Sequence, residues 1–252
     1  MASTRSVSLL LVPGVGLGLP DWSGTLTALR QHGLPVHSVR VALLPGYGRR
    51  ARGEDLSPAA LARHVAAEPV LATGERVVLG GHSASCQVVA HAAALAPDNV
   101  HGLVLSGPTT DPRAASWSRL VARWLSTAGH EPPWQVPTLL RQYSRTGAVT
   151  MLRAMEAARH DAIETTLDHL TCPILFLRGA HDRIAPEDWL DRLAARRRRT
   201  SGTDDTEAVS VPATLPAGGH MVPLTEPELV AAAIKRFLDA LPYDVPRDRV
   251  SD

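Results

Sequence analysis

The sequence predicts an α/β fold: a doubly wound, mostly parallel sheet of about six strands, with a helical insertion over one end. Three observations carry this reading. Short aliphatic runs recur, each ending in Gly, Pro or Ser, as suits strands buried on both faces. Segments with helical spacing lie between them, and strands alternating with helices form parallel pairs joined by right-handed crossovers. The alternation fails once, between Pro108 and Thr171, where helical patches occur but no credible strand.

The predicted strands are 7–12, 36–44, 76–79, 102–106, 173–178 and a weaker 208–215. Ser57-Pro58 reads as an N-cap with proline at the first helical position, opening a helix to about Thr73. Residues 84–95 are Ala-rich and stop before Pro97. Thr225-Glu-Pro-Glu228 reads as a capping box opening a helix whose buried face is Val230, Ile234, Phe237 and Leu241. A structureless loop as long as 108–171 is improbable, so this segment is assigned as a helical cap on a core formed by 1–107 and 172–252. The cap holds Trp117, Trp124 and Trp134, which either glue its helices together or face a pocket. Arg196–Arg199 is followed by an acidic stretch ending at Glu207 and reads as a solvated loop; 243–252 reads as a loose tail.

Composition narrows the function. The 252 residues suffice for one domain with a sizeable core. Lys+Arg 26 against Asp+Glu 25 leaves a net charge of +1, which argues against a dedicated binder of nucleic acid or anionic membrane. Cys86 and Cys172 lie in apolar segments and suggest neither a disulfide scaffold nor a zinc site, and Cys86 reads as core. The apolar run at the N-terminus is too short for a signal-peptide core and no later run approaches a membrane span, so a cytoplasmic location is expected.

The chemistry concentrates in three places. A buried strand runs straight into Gly81-His-Ser-Ala-Ser85 and then a helix, the context of a nucleophile elbow presenting Ser83. Small residues must flank that serine because strand and helix backbones pass closely. A serine needs a base, and Gly218-Gly-His220 follows the last strand on a glycine loop able to bring the imidazole back over the elbow. The base needs an acceptor to orient it, and Asp182 stands just past the strand 173–178, with Asp111 as a rival placed after the preceding strand. The order Ser83, Asp182, His220 is that of one known arrangement. His82 reads as a packing or supporting residue, and the remaining histidines show no metal-ligand spacing.

With Pro13-Gly-Val-Gly16, Gly81-His-Ser-Ala-Ser85, Gly179-Ala-His-Asp182 and Gly218-Gly-His220 in this order, the chain resembles compact serine-dependent α/β-hydrolase fold proteins over nearly its whole length. The resemblance implies an oxyanion hole from the backbone N–H of Ala84 and of Val15, with Gly16 as the alternative to Val15. It departs from the common pattern in starting the loop Pro13-Gly14 rather than His-Gly, in Ser85 standing for a glycine, and in lacking leading antiparallel strands. It implies a serine hydrolase acting on an ester, thioester or related acyl bond of a small to medium hydrophobic molecule, with no cofactor and no metal. Trp22, Tyr47, Trp117, Trp124, Trp134 and Tyr143 are the expected pocket-lining aromatics. Two alternatives remain open at this stage: a lyase, acyltransferase or cyclase on the same fold, and a ligand-binding protein with a vestigial triad.

Overall fold

The computed structural model describes residues 7–34, 39–72, 76–201 and 210–241. The chain alternates as its pattern demands: β1 (Ser8–Val12), α1 (Pro20–Gln31), β2 (Val39–Val41), a short ribbon β3 (Leu44–Pro45) with β4 (Gly48–Arg49), α2 (Pro58–Ala66), α3 (Pro69–Ala72), β5 (Val77–His82), α4 (Ser85–Leu95) and β6 (Val100–Ser106). The insertion contributes α5 (Trp117–Ala128), α6 (Val136–Thr146), α7 (Ala148–Arg159) and α8 (Ile163–Asp168). The core resumes with β7 (Ile174–Arg178), α9 (Glu187–Ser201), β8 (Ser210–Thr214), α10 (Val222–Thr225) and α11 (Pro227–Ala240).

Six strands form one parallel sheet in the order β2-β1-β5-β6-β7-β8. Alternate residues of the central strands feed two cores. Leu10, Leu79, Leu103 and Phe176 face α2, α4, α8 and α9, while Leu9, Val78, Val104 and Leu177 face α1, α10 and α11. Burial on both faces is why these strands read as unbroken apolar runs. Pro212, which cannot donate to a ladder, sits on the edge strand β8. The chain order reverses between β1 and β5, so the crevice beyond their carboxyl ends is where an open α/β sheet places its ligands.

Several local expectations need correction. The predicted strand 36–44 is short: β2 covers Val39–Val41, Leu44 enters the ribbon, and 36–38 lie outside the described residues. The Ser57 hydroxyl caps α2 by accepting from Ala60 N–H at 3.3 Å, but Pro69 starts a separate turn, so α2 ends at Ala66; Thr73 lies outside the described residues. The capping box does not form. Pro227 takes the first helical position of α11, Glu226 makes no side-chain cap, and Thr225 closes α10 with its hydroxyl on the Met221 carbonyl. Arg196–Arg199 is helical, because α9 carries a buried stripe through Leu190, Leu193, Ala194 and Arg197. Arg196 there chelates Asp168, and Arg197 donates to the Leu167 carbonyl. Residues 202–207, the start of the weak strand at 208 and 209, and the tail from 243 lie outside the described residues.

The chain leaves the carboxyl end of β6 into helices α5 to α8, and α5 is capped by Ser116, whose hydroxyl accepts from Arg119 N–H. The later part of this segment packs on the core: Ile163, Leu167 and Leu170 are buried in the cluster against α4 and α9, which also takes Ala154 and Ala158 of α7. No helix among the described residues is long and apolar enough to cross a membrane.

Candidate active site

Ser83 has φ +60°, and among the described residues it shares positive φ outside glycine only with Thr110. A left-handed serine costs of order 1–3 kcal/mol and persists only where its surroundings impose it. Here they do: Ser83 N–H donates to the Ser106 carbonyl at 2.8 Å. Ser85, in the place of the expected glycine, is fully buried; its hydroxyl accepts from His82 N–H at 2.8 Å and lies 2.9 Å from the Val12 carbonyl. Gly81 is obligatory, since a Cβ there would lie 2.8 Å from the Cys86 backbone. Cys86 is core: burial pushes its thiol well up, and its Sγ donates to the Gly81 and Ser106 carbonyls.

The turn aims Ser83 Oγ at His220 Nε2, 2.9 Å away. The other ring nitrogen, Nδ1, is 2.8 Å from Asp182 Oδ2. Asp182 is fully buried, and its second oxygen accepts from Ile184 and Ala185 N–H at 2.8 and 2.9 Å. Burial alone would raise this carboxyl, but the imidazole and the two amides outweigh it and hold the group below the usual carboxylate range. An ionised Asp182 keeps the proton on Nδ1 and turns the Nε2 lone pair toward the serine. Gly107 at the end of β6 makes room for this, since a Cβ there would sit 2.9 Å from the His220 ring. Asp111 also borders the cavity but makes no bond to His220; Arg113, Arg123 and Arg192 surround its carboxylate.

Both main-chain groups of His220 are held by side chains. Its N–H donates to Glu131 Oε1 of the cap at 2.6 Å, and its carbonyl accepts from His82 Nε2 at 3.0 Å. His82 in turn faces both Asp21 oxygens, at 2.9 and 3.0 Å. At the loop after β1, Gly14 N–H is committed to Asp21 and Gly16 N–H to the Gly46 carbonyl. The Val15 and Ala84 amides border the cavity and donate to no acceptor among the described residues, which removes Gly16 as the alternative donor.

Ser83 opens into a cavity of about 230 Å³ bordered by Trp124, Tyr143, Met151, Met155, Ile184 and Met221. Every methionine except Met1 is on this wall. The remaining expected aromatics are placed differently. Trp22 is fully buried, with its indole N–H on the Val12 carbonyl, and Tyr47 is fully buried in the core around α2 and α4. Both are corrections: flanking-loop position in the sequence does not tell which face of the sheet a ring enters. Trp117 donates to Glu156 beneath Arg159 and borders an outer groove rather than the cavity; Trp134 is 57% exposed and off the cavity wall. Asp21, Glu131 and the three methionines escaped sequence reasoning. Asp21 reads as an ordinary acidic residue in a helix first turn, and Glu131 meets its partner only across the fold. Among the described residues, no group of three or more His, Cys, Asp or Glu side chains is placed to hold a metal ion.

Comparison with known proteins agrees with this fold. No curated protein matches the sequence. Among solved structures, a hydrolase from Oleispira antarctica superposes with TM-score 0.70 at 15% identity, covering 94% of this chain and 92% of its own. A carboxylesterase structure from Nitrososphaera gargenis gives TM-score 0.73 at 13% identity, with 96% and 93% covered. A thermophilic esterase from Thermogutta terrifontis gives TM-score 0.62 at 21% identity, with 95% and 92% covered. At these identities the likeness is one of fold. The sequence model of the Alpha/beta hydrolase family matches residues 9–233, nearly the whole chain, and this protein belongs to that family.

Proposed function

We propose that the protein is a serine hydrolase that cleaves an ester, thioester or related acyl bond of a small to medium apolar molecule through an acyl-enzyme. The observation that carries this reading is the continuous relay Asp182–His220–Ser83, opening beside two uncommitted amides into an apolar cavity. Ser83 Oγ attacks the carbonyl carbon while His220 Nε2 takes its proton, and the ionised Asp182 stabilises the imidazolium. The Val15 and Ala84 N–H groups stabilise the oxyanion. As the tetrahedral adduct collapses, His220 returns the proton to the leaving group. Water then attacks the acyl-Ser83 as His220 takes its proton, and on collapse His220 returns that proton to Ser83 Oγ, releasing the acid and the free serine.

Cavity size sets the substrate class. The inner space of about 230 Å³ lies below the ~300–1,000 Å³ typical of small-molecule pockets. It widens between Trp124 and Tyr143 into a groove of about 830 Å³ bounded by α5, α6 and α7. A short acyl group fits within, and a longer apolar chain runs outward along the groove. The methionines supply a deformable wall suited to several chain shapes. The fold shared with esterases supports ester substrates.

The test is an ester and thioester panel run in ¹⁸O-labelled water on wild type and Ser83→Ala, with fluorophosphonate labelling of both. Label in the acid product, turnover lost by on the order of 10⁴-fold in Ser83→Ala, and labelling of wild type alone are expected. Turnover without ¹⁸O incorporation moves the reading to lyase, transferase or cyclase chemistry, and wild-type-like turnover by Ser83→Ala refutes the mechanism.

A further inference from the structure

We propose that His82, as an imidazolium paired with Asp21, is a charged brace that locks the catalytic histidine and the oxyanion loop into one rigid unit. This rests on the Ser83–His220 reading above and adds a role for two buried residues that the reaction itself does not use.

The protonation state follows from geometry. His82 Nδ1 faces the Asp21 carboxylate at 2.9 Å and Nε2 faces the His220 main-chain carbonyl at 3.0 Å. A main-chain carbonyl can only accept, and so can an ionised carboxylate. Against an ionised Asp21 a neutral imidazole, with one N–H, would set a nitrogen lone pair against an oxygen at hydrogen-bond distance in either tautomer, and the doubly protonated ring satisfies both; the charged pair, rather than a proton held on Asp21, is the state proposed. His82 and Asp21 are both fully buried. Burial opposes the charge on His82, yet the Asp21 carboxylate and the His220 carbonyl outweigh it and raise its pKa above the ordinary histidine value.

The connections explain the use of the pair. Asp21 Oδ2 also accepts from Gly14 N–H at 2.9 Å, one residue before the Val15 amide. One ion pair thus joins the loop that offers an oxyanion donor to the loop that carries the base. His220 follows Gly218-Gly219, and the other side chain bonded to its main chain, Glu131, comes from the cap. The groups facing the pair are the Trp22 ring of α1, edge-on to His82 at 6.3 Å, the His220 ring at 5.3 Å, and Asp182, whose charge reinforces that of Asp21; Asp21 in turn acts on the Tyr143 hydroxyl of the cap. Because Asp21 balances His82, the brace adds no net charge to oppose the imidazolium that His220 becomes during attack. His82 does not touch the reacting atoms; it is a positioning residue.

The experiment combines a spectroscopic and a kinetic reading. In protein labelled with ¹⁵N-histidine, at neutral pH and without substrate, His82 should show both ring nitrogens protonated, and Asp21→Asn should abolish this signature. A misplaced base costs up to about 10²-fold, so Asp21→Asn should lower kcat on a small activated ester by roughly 10- to 100-fold with KM little changed. His82→Gln keeps an N–H donor near the Nε2 position and should restore most of the rate that His82→Ala loses. A single protonated nitrogen on wild-type His82 overturns the proposal. So does an unchanged kcat in folded Asp21→Asn or His82→Ala, even if either melts at lower temperature. If Asp21→Asn does not fold, the wild-type spectrum and the His82→Gln against His82→Ala comparison decide. The spectrum requires no turnover, so failure of the hydrolase reading and failure of the brace are read separately.

Discussion

Replacing Asp182 by Asn isolates the electrostatic work of the triad. The change is nearly isosteric, and the retained carbonyl oxygen still accepts from Ile184 and Ala185 N–H. The amide nitrogen then stands where Oδ2 faces His220 Nδ1 at 2.8 Å. A donor there favours the tautomer with the proton on Nε2, which faces Ser83 with no lone pair to take its proton. The carboxylate that would stabilise the imidazolium is also gone. At that separation and an effective dielectric of about 20, the lost attraction is roughly 4–6 kcal/mol. That corresponds to a fall in acylation rate of about three to four powers of ten. KM should change little, because Asp182 is not on the cavity wall. The fold should survive, since one charge-assisted hydrogen bond is worth about 1.5–3 kcal/mol against a total of about 5–15. Asp182→Ala is less informative, since it strands two buried amides together with the imidazole. The assay is stopped-flow acylation by an activated ester, checked by the denaturation midpoint, with Asp111→Asn as control. Turnover within tenfold of wild type for Asp182→Asn, or an equal loss for Asp111→Asn, would refute the assignment of the orienting acid.

Two further predictions concern the aromatics and the acid limit of stability. Trp124→Ala and Tyr143→Ala should raise KM for long-chain esters while leaving short activated esters reactive, whereas Trp22→Phe should keep the substrate ranking and cost roughly 2–3 kcal/mol through the lost bond to Val12 and the volume removed from a fully buried site. Tyr47→Phe removes a buried hydroxyl without a hydrogen-bond partner among the described residues and should stabilise the fold by about 1 kcal/mol, read as a higher denaturation midpoint. Unchanged ranking in the cap variants, or altered ranking in the core variants, would reverse these assignments. Asp182 has a depressed folded-state pKa, so its contribution is present above the unfolded carboxyl pKa and is lost as pH falls through the folded value. The stability gap between wild type and Asp182→Asn should therefore close on acidification. A gap that stays constant down to acid pH would show that the Asp182 charge contributes nothing to folding.

How much was legible varied with the range of the interaction. The sheet was readable because each central strand is buried on both faces and therefore apolar throughout, a property of consecutive residues. The elbow was readable because its steric needs, Gly81 before Ser83 and a small residue after it, fall within five positions. Local capping was less secure: Ser57 caps α2, but Pro227 displaced the start of α11 and left Thr225 to the preceding turn. The basic stretch at Arg196 looked like loop from charge alone, yet helical periodicity lets Arg197 continue a buried stripe while Arg196 reaches Asp168.

By itself the sequence determined the strand order of appearance, the elbow, the glycine loop before His220 and the place of the insertion, since each depends on neighbours along the chain. Asp182 was already the sequence's choice over Asp111 as the acid, but the tertiary structure alone set its carboxylate 2.8 Å from His220 Nδ1, since packing brings the two loops together. It also turned Trp22 and Tyr47 into the core, and joined Asp21, His82 and the His220 carbonyl across separations of 61 and 138 residues. The reason is physical. A buried polar group must find a partner wherever the folded chain supplies one, and nothing in the local sequence records that address.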